Sequence, residues 1–323
     1  MNTFNKNLFR NSQYPIKVII DCDPGVDDSA CLTYALFDEN IDIKLFTTVA
    51  GNIKLDLATR NLLHLLDIYN KDIPVAKGAF KALKRISPTA EFIHQKEGMG
   101  GYIPPKTTNR KVIALDAVEA MYQTIMAGDG DIYIVALGPQ TNVAHLLIKH
   151  PEVICKIPQI TFMGGSPFGN PNYADHVSFN LSSDPDAFKV VLESGIPLVM
   201  CPSHMGRIKA HLQEDFVYNL ANYGDVGKFL LKMYEKYWEP KYPDKRITTN
   251  DTCCLFSLVY PKLFSFKRID CTVDTQNVLG KTDVTFNENG KILFIDDLNK
   301  PEFLEFLTSQ LEKLKNLKLN VSL

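Results

Sequence analysis

The chain has 323 residues, 45% of them apolar, with 35 Lys and Arg against 37 Asp and Glu. That length buries one large core or two smaller ones, and nineteen Phe and thirteen Tyr at 22% charged residues exclude a disordered chain. A net charge of −2 argues against nucleic acid held on a basic face, and no apolar run approaches the roughly 18 residues a membrane helix needs. The polar start MNTFNKNLFRNSQYP predicts an N-terminal extension over 1–15 without a signal peptide. Seven Cys without a CxxC pair predict neither a disulfide framework nor a zinc site, and fit a reducing, cytoplasmic compartment.

From Ile16 onward, short apolar runs alternate with segments of helical period. Strands are expected at 16–21, 43–49, 132–137, 159–163 and 198–201. Helices are expected at 28–37, 55–68, 116–126, 142–149 and 186–193. This alternation predicts parallel βαβ units, so the fold class is α/β: one domain over 16–323, an open and mostly parallel sheet flanked by helices. Continuous runs such as KVII and IYIVAL suit strands covered on both faces. Asp184-Pro185 reads as an N-cap followed by Pro at the first helical position. A last helix starts at Asn299–Pro301, with Phe303, Leu304, Phe306, Leu307, Leu311 and Leu314 as a core stripe. The stretch from Ala221 to Thr252 reads as a helix followed by a long loop rich in aromatics, of the kind that borders binding sites.

Polar residues collect where strands end. In VIIDCDPGVDD, Asp21, Asp23, Asp27 and Asp28 fall within eight residues. Four such carboxylates repel one another and need a cation, raised pKa values or full solvation. Cys22 alternates away from Asp21 and Asp23 and reads as core. The next strands run into TTVAGN, ending at Asn52, then ALGPQTN near Leu137, then FMGG at Met163. Farther on come Phe179-Asn180 and Asn250-Asp251, where Asp251 alone would read as an N-cap. In an open parallel sheet the carboxyl ends of strands are where ligands bind, and all-oxygen donors select Ca²⁺ or Mg²⁺.

DCDPGVDD at 21–28 resembles the signature of inosine–uridine-preferring nucleoside hydrolases. The likeness continues through TTVAGN, ALGPQTN, FMGG, SFN (178–180), DPDA (184–187) and ND (250–251), in family order over roughly 16–310. The resemblance implies a nucleoside hydrolase-like sheet with its site at strand C-terminal ends. It also implies Ca²⁺-dependent hydrolysis of the N-glycosidic bond of ribonucleosides. The partner would be a small-molecule nucleoside, with no nucleic acid or membrane, and the assembly a homodimer or homotetramer. By motif, Asp23 would be metal ligand and general base, and Asp28, Asp251 and the Leu137 carbonyl would complete the metal site. Asp27, Asn52, Met163 and Asn180, with the adjoining Phe179, would hold the ribose, Asp27 and Asp251 on its diol. His94 in FIHQKEGMGG resembles the family's mobile-loop His.

Two positions depart from the family pattern. Asn250 stands at the catalytic position where many members have the His thought to protonate the leaving base, and an amide is no acid. Trp238, Tyr234, Tyr237 and Tyr242 are candidates to stack on the base or donate a proton, and His94 or His204 could substitute as the acid. Ser178 stands where the family has the Glu of the sugar's 5′ region, and Asn170 or Asn172 would supply the Asn of the preceding loop. A different contact to the 5′ end follows from Ser178. Two other readings compete. One is a nucleoside- or ribose-binding protein that has lost turnover, or a hydrolase of modified nucleosides. The other is a phosphatase of the haloacid-dehalogenase type, with Asp21 as nucleophile.

Overall fold

The run IKVIIDC forms β1 (Ile16–Cys22), in which every residue but Lys17 is buried. A strand covered on both faces needs such a continuous run. The other strands are β2 (Ile41–Thr48), β3 (Val75–Lys77), β4 (Ile132–Ala136), β5 (Ile160–Met163), β6 (Leu198–Cys201), β7 (Phe264–Val273), β8 (Thr282–Phe286) and β9 (Ile292–Leu298). They form one sheet in the order β3-β2-β1-β4-β5-β6-β9-β7-β8. The pairings are parallel from β3 to β9, and β7 pairs antiparallel with both β9 and β8. This computed structural model describes residues 15–86, 88–168, 176–237 and 245–321. The expected N-terminal extension up to Tyr14, and the candidates Asn170, Asn172, Trp238 and Tyr242, lie outside them.

Alternation along β1 separates two cores. Val18 and Ile20 face one and Ile19 faces the other. The first core takes α1 (Val26–Ala35), α2 (Leu55–Ile68) and, after the short α3 (Glu91–His94), helices of the carboxyl-terminal half. The second takes α4 (Ala117–Ala127), α5 (Thr141–Lys149) and, after the five-residue α6 (Phe179–Ser183), α7 (Pro185–Leu192). The caps read from sequence form. Asp184 accepts the Ala187 N–H at 3.0 Å with Pro185 at the start of α7.

The carboxyl-terminal half holds α8 (Glu214–Asn219), α9 (Gly224–Tyr234), α10 (Asn250–Val259) and α11 (Lys300–Leu314). Phe303, Leu307, Leu311 and Leu314 of the expected stripe are buried, and Leu304 and Phe306 pack beside them. Each such side chain contributes about 1.5–3 kcal/mol by leaving water. Asp251 is not the cap of α10: Thr249 holds that position, and Asp251 lies inside the first turn, 3% exposed. No helix among the described residues is long and apolar enough to cross a membrane.

The chain places the site through one reversal of order. From β1 the sheet grows through β2 to β3 in one direction, and through β4, β5 and β6 in the other. The crevice outside the carboxyl ends of β1 and β4 is therefore the switch point at which open α/β sheets bind ligands. The acidic turn after β1 opens into it.

Candidate active site

The turn after β1 divides its carboxylates between two tasks. Asp21 is fully buried, and its Oδ1 accepts from Thr47 Oγ1 at 2.6 Å and from Asn142 Nδ2 at 2.7 Å. Burial pushes its carboxyl up to about 7, against those two hydrogen bonds. It ties β1 to β2 and α5 and does not reach the crevice, so a phosphatase with Asp21 as exposed nucleophile is ruled out. Asp23, also fully buried, accepts the Asn52 N–H on Oδ2 at 2.6 Å. Its Oδ1 has no hydrogen-bond partner among the described residues. Backbone presses on this carboxylate from two sides. A Cβ on Gly51 would stand 2.1 Å from Oδ2, and one on Gly138 would stand 2.7 Å from Oδ1. Only glycine permits that approach.

Asp28 faces the same turn. Its Oδ1 accepts the Asp23 N–H at 3.3 Å, and its Oδ2 accepts the Gly25 N–H at 3.2 Å and Asn52 Nδ2 at 2.9 Å. Across the crevice, α10 brings Asp251. One oxygen from each of Asp27, Asp28 and Asp251 lies within 4.8 Å of the others, all three buried deep in the site. The grouping differs from the expected one: Asp27 stands in the triple, and Asp23 joins it through Asp28. Burial raises all four carboxyls. Asp27 and Asp28 rise to about 6, and the Asp27 charge adds to the effect on Asp28. Asp23 and Asp251 are pushed well above the carboxylate range, by burial first and then by the Asp28 and Asp27 charges respectively. Buried carboxylates that repel one another, with no hydrogen bond to Asp23 Oδ1 or Asp27 Oδ1 among the described residues, fit a hard divalent cation. The acidic group can hold a metal ion.

The next wall of the cleft comes from the ends of β4 and β5. Asn180 Nδ2 donates to the Leu137 carbonyl at 2.5 Å, to the Met163 carbonyl at 3.2 Å and to Met163 Sδ at 3.3 Å. One amide thus fixes the two strand ends together. Asp27, Asn52, His94, Leu137, Met163, Phe179, Asn180, Asn250 and Asp251 all wall one cleft. Ser178 is not among them. It is fully buried, and its Oγ accepts the Gly165 N–H at 2.7 Å, so it holds a turn rather than a ligand.

His94 is 4% exposed, and its Nδ1 accepts the Val26 N–H at 3.1 Å. Burial lowers its pKa to about 4, partly opposed by Asp28, so the ring is neutral near pH 7. The Tyr237 ring lies 5.1 Å from it, and the Tyr237 hydroxyl hydrogen-bonds Asp27 and stands 3.2 Å from Thr248 Oγ1. His204 is elsewhere: its ring packs against Phe168 and Phe294, away from the cleft. Tyr234, the last residue of α9, is buried in the core and does not wall the cleft. Phe92, from the His94 loop, also lines the wall, and two wall residues carry no motif that marks them: Thr248 and Arg207. Arg207 lies in a π-helical turn, Met205–Lys209, and is 2% exposed. A charged side chain on an unassigned loop gives no sequence signal of burial.

Comparison with known proteins bears on this arrangement. The model of the family described as inosine-uridine preferring nucleoside hydrolase matches residues 18–305. The non-specific ribonucleoside hydrolase RihC of Salmonella typhimurium is 36% identical over 261 residues, which cover 81% of this chain and 84% of that protein. A purine-preferring ribonucleoside hydrolase from Gardnerella vaginalis superposes with a TM-score of 0.87 at 26% identity, covering 94% of this chain and all of that one. The plant nucleoside hydrolase PpNRh1 superposes with a TM-score of 0.85, also at 26% identity, over 92% of this chain and 99% of its own. The family match spans the crevice from the acidic turn after β1 to α10 and into α11, and the chain belongs to the inosine-uridine preferring nucleoside hydrolase family.

Proposed function

We propose that the chain hydrolyses the N-glycosidic bond of ribonucleosides to free base and ribose, with Ca²⁺ at its acidic group. The observation that carries this reading is the meeting of Asp23, Asp27, Asp28 and Asp251 with Asn52, Met163 and Asn180 at the β1/β4 switch point.

The unpartnered Oδ1 of Asp23 takes a proton from the attacking water while the Asn52 N–H holds the other oxygen in place. A positioned base of this kind contributes about 10²–10⁴ in rate. Asp27 and Asp251 accept the hydroxyls of the ribose diol, and Asn52, Met163, Phe179 and Asn180 fix the ring. As the bond to the base breaks, the sugar gains oxocarbenium character, and the buried carboxylates stabilise that charge. Tyr237 and Thr248 orient Asp27 from behind. Ca²⁺ held by Asp23, Asp28, Asp251 and the second lone pair of the Leu137 carbonyl would offset the carboxylate repulsion and lower the pKa of water beside it.

The same reading takes the enzyme as a cytoplasmic homodimer or homotetramer, which light scattering of the purified chain tests. The activity is tested by reducing-sugar release from uridine, cytidine, inosine, adenosine and guanosine, with Ca²⁺ and with a chelator. Release that the chelator abolishes is the expected result. Binding of nucleosides without release from any of them would instead support a protein that keeps the site and has lost turnover.

A further inference from the structure

From the Asp23 N–H to the Val26 N–H, every backbone polar group of the acidic turn has a partner. The Asp23 and Gly25 N–H groups donate to Asp28, the Gly25 carbonyl accepts from Ser29, and Asn52 Nδ2 reaches the Asp23 carbonyl at 3.4 Å. Two further clasps come from outside the acidic group. His94 Nδ1 accepts the Val26 N–H at 3.1 Å, and Asn61 Nδ2 donates to the Pro24 carbonyl, also at 3.1 Å.

Asn61 is fully buried in the middle of α2, where an amide is a poor helix former. All four of its hydrogen-bonding positions are used. Nδ2 donates to the Pro24 carbonyl and, at 2.9 Å, to the Glu97 carbonyl. Oδ1 accepts from Arg60 Nη2 at 2.7 Å and from Arg60 Nε at 3.2 Å. Arg60 in turn grips Glu97 twice, with Nη2 on its carbonyl at 3.0 Å and Nη1 on its carboxylate at 2.6 Å. Glu97 belongs to the segment that runs from His94 to α9, where the Gly101 N–H donates to the Met233 carbonyl at 3.2 Å. Gly98 packs against the Asn61 amide: its φ is +81°, and a Cβ there would stand 2.8 Å from Nδ2. One amide thus bridges the carbonyl next to Asp23 and the loop that carries His94.

Building on the hydrolase reading, we propose that Asn61 is a positioning residue for the acidic group, with Arg60 and Glu97 as its lock. Asn61 holds the Pro24 carbonyl directly. The same network fixes the segment after His94, and His94 holds the Val26 N–H. The turn is therefore gripped at both ends of Pro24–Val26. That interval joins Asp23, on the strand side, to Asp27 and Asp28 at the start of α1, and its geometry sets where Asp23 stands relative to the Asp27, Asp28 and Asp251 group. Asn61, Arg60 and Glu97 do not wall the cleft, so they act through the turn. Groups that hold metal ligands from behind carry about 10–100-fold in metal affinity or activity, and an ångström of misplacement costs about 10² in rate.

The test compares Asn61→Leu, Arg60→Met and Leu66→Ala with the wild type. Leucine keeps the volume of Asn61 and forms helix better, so that variant chiefly removes the hydrogen bonds. Leu66→Ala opens the core further along the same helix and serves as the control for lost stability. Ca²⁺ affinity by calorimetry, melting temperature, and kcat for ribose release from uridine and inosine are read on each. Asn61→Leu is expected to weaken Ca²⁺ binding and to lower kcat, each by about 10–100-fold. Arg60→Met, which leaves the Asn61 amide in place, should do both more weakly. Leu66→Ala should lower the melting temperature and leave Ca²⁺ affinity and kcat near wild type. In Asn61→Leu with His94→Ala the two losses in kcat should combine to less than their product, because both variants free the same turn. A full product would make the two clasps independent and overturn the shared role. Wild-type Ca²⁺ affinity and kcat in folded Asn61→Leu would make the residue structural and overturn the proposal, as would equal losses in Leu66→Ala. If Asn61→Leu does not fold, Arg60→Met decides, and unchanged Ca²⁺ affinity and kcat in it would overturn the proposal. Ca²⁺ binding without ribose release by the wild type would overturn the hydrolase reading alone, and the Ca²⁺ affinities would still decide for or against Asn61. Neither Ca²⁺ binding nor release by the wild type would overturn both.

Discussion

Gly51→Ala is the smallest perturbation aimed at the proposed base. The new methyl carbon would lie 2.1 Å from Asp23 Oδ2 and 2.7 Å from the Pro139 ring. Neither neighbour has room to yield: Asp23 is fully buried, and its Oδ2 already takes the Asn52 N–H at 2.6 Å. On the other side Gly138 closes on Oδ1. To restore ordinary contact the carboxylate has to move by about an ångström, and a shift of that size in a reacting group costs about 10² in rate. Overpacking a filled interior adds about 1–3 kcal/mol of destabilisation. The assay is kcat for ribose release from uridine at saturating substrate and Ca²⁺, beside a thermal melt. The expected result is a roughly hundredfold lower kcat in a protein that still folds. Wild-type kcat in folded Gly51→Ala would refute the placement of Asp23 as the group that must be held to within an ångström.

The metal-free protein should lose stability as pH rises above about 6.5. Buried carboxyls hold protons to about pH 6 at Asp27 and Asp28, and higher at Asp23 and Asp251, against 3.8 when unfolded; the folded state thus binds more protons, and stability falls as they leave. Below pH 6.5 His64, His94 and His204, lowered to about 4, act in the opposite sense, and toward pH 9 the buried thiols of Cys22, Cys31, Cys253 and Cys254, pushed up by burial, add to the fall, so melting curves from pH 6.5 to 7.5 isolate the carboxyls. A melting temperature that rises over that range, or that Ca²⁺ does not lift most at its upper end, would contradict the buried-carboxylate account. Ser178→Ala should cost about 1 kcal/mol through the lost Gly165 N–H bond and leave KM unchanged, as read by denaturant melts and kinetics; a raised KM would return Ser178 to the substrate. His94→Ala leaves the Val26 N–H without its acceptor and should lower stability by about 1–3 kcal/mol. It should leave the pH of half-maximal kcat unmoved, and a shifted profile would show that His94 titrates in the reaction.

The parallel half of the fold was legible because its signals are local. α2 forms at Leu55–Ile68 as expected, and Asp184 and Asn299 cap their helices. The antiparallel edge was not. β7 buries only Phe264 and Ile269 among half-buried and exposed residues, and β8 is largely exposed, so neither carries the continuous apolar run that marks the interior strands. At the site, the motif residues of β1, β4, β5 and α10 do meet, because strand ends in such a sheet converge on one crevice. A hydroxyl on a turn looks the same in sequence whether it faces a ligand or, as Ser178 does, the Gly165 amide. The burial of Arg207 depends on how β6 and α10 pack, which no local pattern encodes. Within the acidic turn, composition could not tell that Asp21 turns inward to Thr47 and Asn142 while Asp27 joins the metal-competent triple.

The central claim is that one hard cation at the acidic group supports ribonucleoside cleavage by Asp23. It is tested most directly by titrating Ca²⁺ into metal-stripped protein while recording ribose release from uridine, beside the same titration of Asp251→Asn. Activity that rises from zero to saturation at one Ca²⁺ per chain, and that is absent or needs far more Ca²⁺ in Asp251→Asn, is the predicted result. Full activity in the stripped wild type would contradict it.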